Sequence, residues 1–64
     1  MSKILRLPMV MDRTGLSRSS IYLQMKQGSF PANFLLSTRT AGWLEGDISA
    51  WIESKIQKTR PHNV

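Results

Sequence analysis

Gly15 and Ser17, two residues apart, place the end of one helix next to the start of another. Glycine often ends a helix because it accepts left-handed backbone geometry, and serine is a preferred N-cap residue. The residues before Gly15 carry apolar side chains at helical spacing, and Pro8 suits the first turn of a helix. The sequence therefore predicts a first helix over residues 8–14, a tight turn, and a second helix that begins at Ser17.

The second predicted helix is amphipathic, covers residues 17–27 and ends at Gly28. Leu16 and Ile21 are spaced for a hydrophobic staple across the N-cap. In helical projection Ile21 and Met25 share one face, with a glutamine beside them. The opposite side carries Ser19, Tyr22, Leu23 and Lys26, with Arg18 flanking them.

A β-hairpin is predicted in the second half of the chain. Residues 33–36 and 41–44 form two short, largely apolar runs, separated by a polar tip that contains Arg39. Near the N-terminus, Ile4–Leu7 is too short for a helix and runs into a proline, which favours a strand or an extended arm.

The last predicted helix covers Gly46 to about Lys58, where an apolar stripe of helical spacing comprises Ile48, Trp51, Ile52 and Ile56. The fold class expected from these elements is mainly α with a small β-hairpin wing. It is a winged helix-turn-helix with three helices and a short N-terminal strand. We expect one domain over residues 1–60 and a flexible tail over residues 61–64.

Composition narrows the classes of function. The 64 residues include no cysteine and one histidine, His62, so the chain has no thiolate ligand and no histidine-based catalytic group outside its tail. We therefore expect no enzyme activity, no metal, no cofactor and no small-molecule ligand. No run approaches the length of a membrane span and no signal-peptide pattern is present, so we expect a cytoplasmic protein without membrane contact.

Charge and helix geometry together indicate double-stranded DNA as the partner. The net charge of +5 favours a polyanion. In a helix-turn-helix the second helix lies in the major groove, which would direct Arg18, Ser19 and Ser20 toward bases and phosphates. Tyr22 and Lys26 extend the same surface. We expect Arg39, at the hairpin tip, to contact the backbone or the minor groove.

The chain resembles the AlpA-type prophage regulatory proteins, which belong to the MerR-like and excisionase-like winged-helix group. The matching segments span about residues 4–56 and comprise Arg6–Pro8, Arg13–Tyr22, Gly28–Pro31, Ser37–Arg39, Gly42–Trp43 and Ala50–Ile52. The resemblance implies a DNA-binding transcription regulator encoded by a prophage or an integrated island, in the bacterial nucleoid. It also implies that DNA-contacting residues lie at Ser17, Arg18, Ser19, Ser20 and Tyr22, and at Arg39 in the wing.

The chain departs from the family at Leu23, where a basic or polar residue is usual, and at Met9, where an acidic residue is usual. Two alternatives to promoter control stay open, the first because one fold serves both roles and the second because of these two apolar residues. One is an excisionase-like architectural factor that bends DNA for a recombinase. The other is a small protein-interaction module that uses the surface around Met9 and Leu23. Attachment to a membrane surface is disfavoured because the stripe of the last helix is needed for the core.

Two tryptophans suit either a stacking platform for single-stranded nucleic acid or core packing. Trp51 lies on the apolar stripe and Trp43 lies on a predicted strand, so we expect both to pack in the core. Small DNA readers seldom reach specificity as single copies, so we also expect a homodimer or cooperative binding at repeated sites.

Overall fold

The computed structural model describes residues 3–59. Three helices and a three-stranded sheet follow one another in the order β1 (Ile4–Leu5), α1 (Leu7–Thr14), α2 (Arg18–Gln27), β2 (Phe34–Ser37), β3 (Thr40–Leu44) and α3 (Glu45–Thr59). The order confirms the predicted fold class, with the N-terminal segment as a strand. The expected tail over residues 61–64 lies outside the described residues.

The turn between α1 and α2 is stabilised by local hydrogen bonds. Gly15 adopts φ 73° and donates its N–H to the carbonyl oxygen of Met11 at 2.8 Å. The Thr14 hydroxyl donates to the carbonyl oxygen of Val10 at 2.8 Å and accepts from the N–H of Leu16 at 3.2 Å. The left-handed glycine predicted from the sequence is confirmed, although α1 begins one residue earlier than predicted, at Leu7.

The ends of α2 lie where the sequence places them. The Ser17 hydroxyl oxygen accepts a hydrogen bond of 3.1 Å from the N–H of Ser20, which satisfies one of the N-terminal donors. At the other end Gly28 adopts φ 79° and donates to the carbonyl oxygen of Met25. These two local signals fix the length of α2.

The sheet has the order β1-β3-β2, and both pairings are antiparallel. Leu5 pairs with Trp43, while Phe34 pairs with Gly42, and the β2–β3 register shifts between Leu35 and Ser37. The sheet places β1, from the chain start, against the strand that leads into α3. The backbone N–H of Glu45, the first residue of α3, donates to the carbonyl oxygen of Lys3 at 2.7 Å. This hydrogen bond links the start of α3 to the residue before β1.

The core lies between the helices and β3. Its buried side chains are Leu5, Val10, Ile21, Phe30, Trp43 and Ile48. Every helix and strand except β2 contributes a side chain to this core. All four residues of β2 are exposed, so β2 is the outer strand of the hairpin.

The longest helix, α3, is less buried than its apolar stripe predicts. Ile48 is fully buried and Trp51 and Ile52 are half-buried, but Ile56 is 40% exposed. A core role for Ile56 is therefore wrong, because residues 53–58 are all exposed and extend past the surface on which α3 packs. Within the part of the chain that the structure describes, no helix combines the length and hydropathy needed to cross a bilayer.

Candidate nucleic-acid interface

The orientation of α2 is set by its buried side. Ile21 is completely buried against the core cluster, and Met25 packs at the edge of that cluster. Because a helix has 3.6 residues per turn, this leaves a continuous exposed surface on the opposite side. Ser19, Leu23 and Lys26 lie on that opposite side, and Arg18 and Tyr22 lie at its border. We call these five exposed residues the α2 outer face.

Within the α2 outer face, Arg18 and Tyr22 are one helical turn apart and contact each other. The guanidinium carbon of Arg18 lies 5.9 Å from the centroid of the Tyr22 ring, within the range of a cation–π interaction. At an exposed site such a contact contributes about 0.5–1 kcal/mol, so it favours this position of the guanidinium. A planar guanidinium held in this way can donate two parallel hydrogen bonds to a phosphate or to the edge of a guanine.

Ser17 and Ser20 lie at the start of α2. The Ser17 oxygen is occupied as an acceptor by its cap bond, but its hydroxyl proton can still be donated outward. The Ser20 side chain is half-buried and lies to one side of the α2 outer face. Ser17 is the N-cap of α2 and Ser20 lies in its first turn. Unpaired backbone N–H groups at a helix N-terminus favour binding of an anion such as a phosphate.

The charges of the chain are segregated. No acidic residue occurs between Asp12 and Glu45, so every charged side chain of α2 and of the hairpin is a cation. Within residues 3–59, Arg18, Lys26 and Arg39 make no hydrogen bond or ion pair with other side chains. These three cations are exposed and have no carboxylate partner within that range, so they are free to bind phosphates.

Arg13 on α1 contrasts with these cations. Its guanidinium donates to Glu45 Oε2 and to Ser49 Oγ, both at 3.1 Å, and thereby ties α1 to α3. Sequence reasoning missed this role, since the partners are 32 and 36 residues away and no local pattern indicates them. Arg13 is therefore a structural cation rather than a member of the candidate interface.

Arg39 lies apart from the α2 residues, in the exposed turn between β2 and β3. We call this hairpin, residues 34–44, the wing. The predicted site residues thus fall into two groups, one on α2 and one at the tip of the wing. A helix and a hairpin of the same domain can contact a groove and the backbone of a duplex separately.

Both tryptophans serve the core, as predicted. Trp43 is completely buried and donates its indole N–H to the carbonyl oxygen of Pro31 at 3.1 Å. The half-buried Trp51 packs edge-to-face with Phe30, with ring centroids 4.9 Å apart. A stacking platform on Trp43 is excluded because the ring has no exposed face.

Two helices joined by a tight turn and followed by a hairpin and a third helix define a winged helix-turn-helix domain. A family model described as "Prophage CP4-57 regulatory protein (AlpA)" matches residues 3–56. The chain belongs to this AlpA family of prophage regulatory proteins.

Two relatives illustrate the similarity. The protein named DNA-binding transcriptional activator AlpA, of Escherichia coli strain K12, is 34% identical over 61 residues, covering 86% of this chain and 87% of that protein. The ORF88 protein of Enterobacteria phage P4 is 39% identical over 54 residues, covering 84% of this chain. The present chain spans 61% of the length of the phage P4 protein.

Proposed function

We propose that this protein is a sequence-specific, duplex-DNA-binding transcription regulator of a prophage or an integrated island. Helix α2 enters the major groove, and Arg39 of the wing contacts the backbone or the minor groove. The observation that carries the proposal is the α2 outer face, where Arg18 and Lys26 are exposed and unpaired by any carboxylate. Such a protein acts in the bacterial cytoplasm, where prophage and chromosomal DNA reside.

The family relationship supports the same conclusion. The relative in Escherichia coli is named a DNA-binding transcriptional activator, and the similarity covers most of both chains. The segment from Arg13 to Pro31, which contains the whole of α2, lies within the region that matches the family model. The side chains that we assign to DNA contact therefore all lie within the part of the chain that the family model matches.

The test begins with selection from a library of duplexes whose central 20 or so base pairs are random, since no target is assumed. The enriched duplex and a scrambled duplex of equal composition are then titrated by fluorescence anisotropy at two salt concentrations. We expect tighter binding to the enriched duplex. We also expect log affinity to fall with log salt at a slope of about −3 to −5, because several phosphates are neutralised. Equal affinity for both duplexes would contradict sequence-specific recognition.

We further propose that two or more copies bind repeated half-sites. A single small module buries only about 600–1,000 Å² on DNA, which limits the specificity of one copy. Helix-turn-helix readers overcome this limit by binding half-sites about one helical turn apart. Sedimentation of the protein on duplexes with one or two copies of the enriched half-site measures the stoichiometry. A ratio of one protein per duplex on both would exclude repeated-site binding.

A further inference from the structure

The most exposed apolar side chain of α2 lies within the α2 outer face. Leu23 is 56% exposed, more than the neighbouring Tyr22 at 40%. It is one helical turn after Ser19 and one turn before Lys26, so these three side chains form a row along the helix. An apolar group is therefore surrounded by hydrogen-bonding and cationic groups.

Packing within the domain does not account for Leu23. The core side of α2 is occupied by Ile21, which is completely buried, and by Met25. Bringing Leu23 into the core would require a rotation of α2 that exposes Ile21 and disrupts the cap at Ser17. Leu23 is thus fixed on the outside by the same residues that orient Arg18.

The charges of the surrounding surface indicate what covers Leu23. Lys26 is one turn away on the same side, Arg18 lies in the first turn of the same helix, and the nearest acidic residues along the chain are Asp12 and Glu45. The complementary surface must be anionic around an apolar group. The major groove of duplex DNA has this composition, because phosphates border it and the C5-methyl group of thymine is its exposed apolar group.

We propose that Leu23 is a base-reading residue that packs against the C5-methyl group of a pyrimidine in the major groove. This inference rests on the proposed function and adds one element of its specificity. Thymine carries this methyl group in all DNA, and 5-methylcytosine carries it only in modified DNA. In synthetic duplexes that contain no 5-methylcytosine, thymine is the base that carries this methyl group, so a contact measured with them is a contact with thymine.

The experiment replaces thymine by uracil, which has the same hydrogen-bonding groups and lacks the methyl group. The enriched duplex is prepared with uracil at one thymine position at a time, and each version is titrated with the wild-type protein. At the position that Leu23 contacts, loss of the methyl group is expected to weaken binding about fourfold, as burial of one methyl-sized group implies. The Leu23→Ala variant is expected to bind the thymine and uracil duplexes equally at that position.

Met9→Ala is the matched control. Met9 is 50% exposed, lies on α1 and is not part of the α2 outer face. This variant should retain the fourfold preference for thymine, and the far-UV circular dichroism of both variants should equal that of the wild type.

Three outcomes overturn the proposal. The wild type could bind every uracil duplex as tightly as the thymine duplex, or Leu23→Ala could retain the preference for thymine. Either result rejects the role of Leu23 and leaves sequence-specific binding intact. If selection enriches no duplex at all, the proposed function and this inference are both rejected.

Discussion

The indole N–H of Trp51 donates a hydrogen bond of 2.8 Å to the carbonyl oxygen of Ser29, which joins the middle of α3 to the residue that follows the C-cap of α2. Ser29 is also held from the other side, because its N–H and its hydroxyl both donate to the carbonyl oxygen of Gln24, at 2.9 and 3.2 Å. Helix α3 therefore helps to fix the end of the helix that we assign to the major groove.

Replacing Trp51 by Phe should destabilise the domain by about 1 kcal/mol, because the aromatic packing against Phe30 is retained and one hydrogen bond is lost. Trp51→Ala removes the packing as well and should cost roughly 2–4 kcal/mol, somewhat less than for a fully buried ring. Chemical denaturation at equilibrium gives both free energies of unfolding. Equal stability of Trp51→Phe and the wild type would show that the hydrogen bond makes no net contribution.

Local signals were sufficient to predict where the helices end. Ser17 and Gly28 act on the backbone within a few residues, so their effect is visible in the sequence. The orientation of α2 was also predictable, because the helical period alone separates Ile21 from the exposed Leu23 and Lys26.

Long-range relationships could not be predicted in this way. The pairing of Leu5 with Trp43 and the ion pair of Arg13 with Glu45 join segments that are distant in the chain. The exposure of Ile56 depends on where the underlying surface ends, which periodicity does not reveal. Likewise, Trp43 and Trp51 both lie in apolar sequence patterns, yet Trp43 is fully buried and Trp51 is half-buried. This difference depends on how the sheet packs on the helices, which the sequence pattern does not reveal.

Opposite effects are expected for two glycine-to-alanine substitutions. Gly15 has φ 73° and open space around an added Cβ, so Gly15→Ala should destabilise the domain by about 1–2 kcal/mol through backbone strain alone. Gly46 lies in the first turn of α3 with no atom within 4 Å of an added Cβ. Gly46→Ala should therefore stabilise it by about 0.5 kcal/mol. Thermal unfolding of both variants tests the prediction, which fails if the two changes have the same sign.

The close approach of β1 to β3 depends on Gly42. A Cβ at this position would lie 2.7 Å from Cγ2 of Ile4 and 3.2 Å from Cδ1 of Leu36. Because Cγ2 of Ile4 is close to the backbone, either β1 or the χ1 rotamer of Ile4 must shift, and Gly42→Ala should cost about 1–3 kcal/mol.

The Ile4→Ala exchange tests whether this contact is the cause. It removes the clashing methyl group, so the double variant should be more stable than the sum of the two single effects predicts. Denaturant unfolding of the four proteins in the cycle gives the coupling free energy. A coupling near zero would assign the cost of Gly42→Ala to another contact.

The two candidate arginines should differ in how their loss affects DNA binding. At Arg39, on the wing tip, a phosphate contact is independent of sequence. Arg39→Ala should therefore weaken binding to the enriched and scrambled duplexes alike, by about fivefold, and reduce the salt slope by about 1. Arg18 lies beside Tyr22 in the first turn of α2, the helix that we propose to enter the major groove, and we therefore assign base reading to it. Arg18→Ala should lose about 1–3 kcal/mol on the enriched duplex and relax the preference at one base pair.

Lys58→Ala is the control for charge, because Lys58 is an exposed cation in the last turn of α3, outside α2 and the wing. It changes the net charge as the arginine variants do, so any effect of overall charge on binding should appear in all three proteins. Anisotropy titrations at two salt concentrations, against the enriched duplex and its single-base variants, separate these contributions. If Arg18→Ala and Arg39→Ala bind no more weakly than Lys58→Ala, the positive charge of the chain would account for binding, and neither arginine would have the role assigned to it.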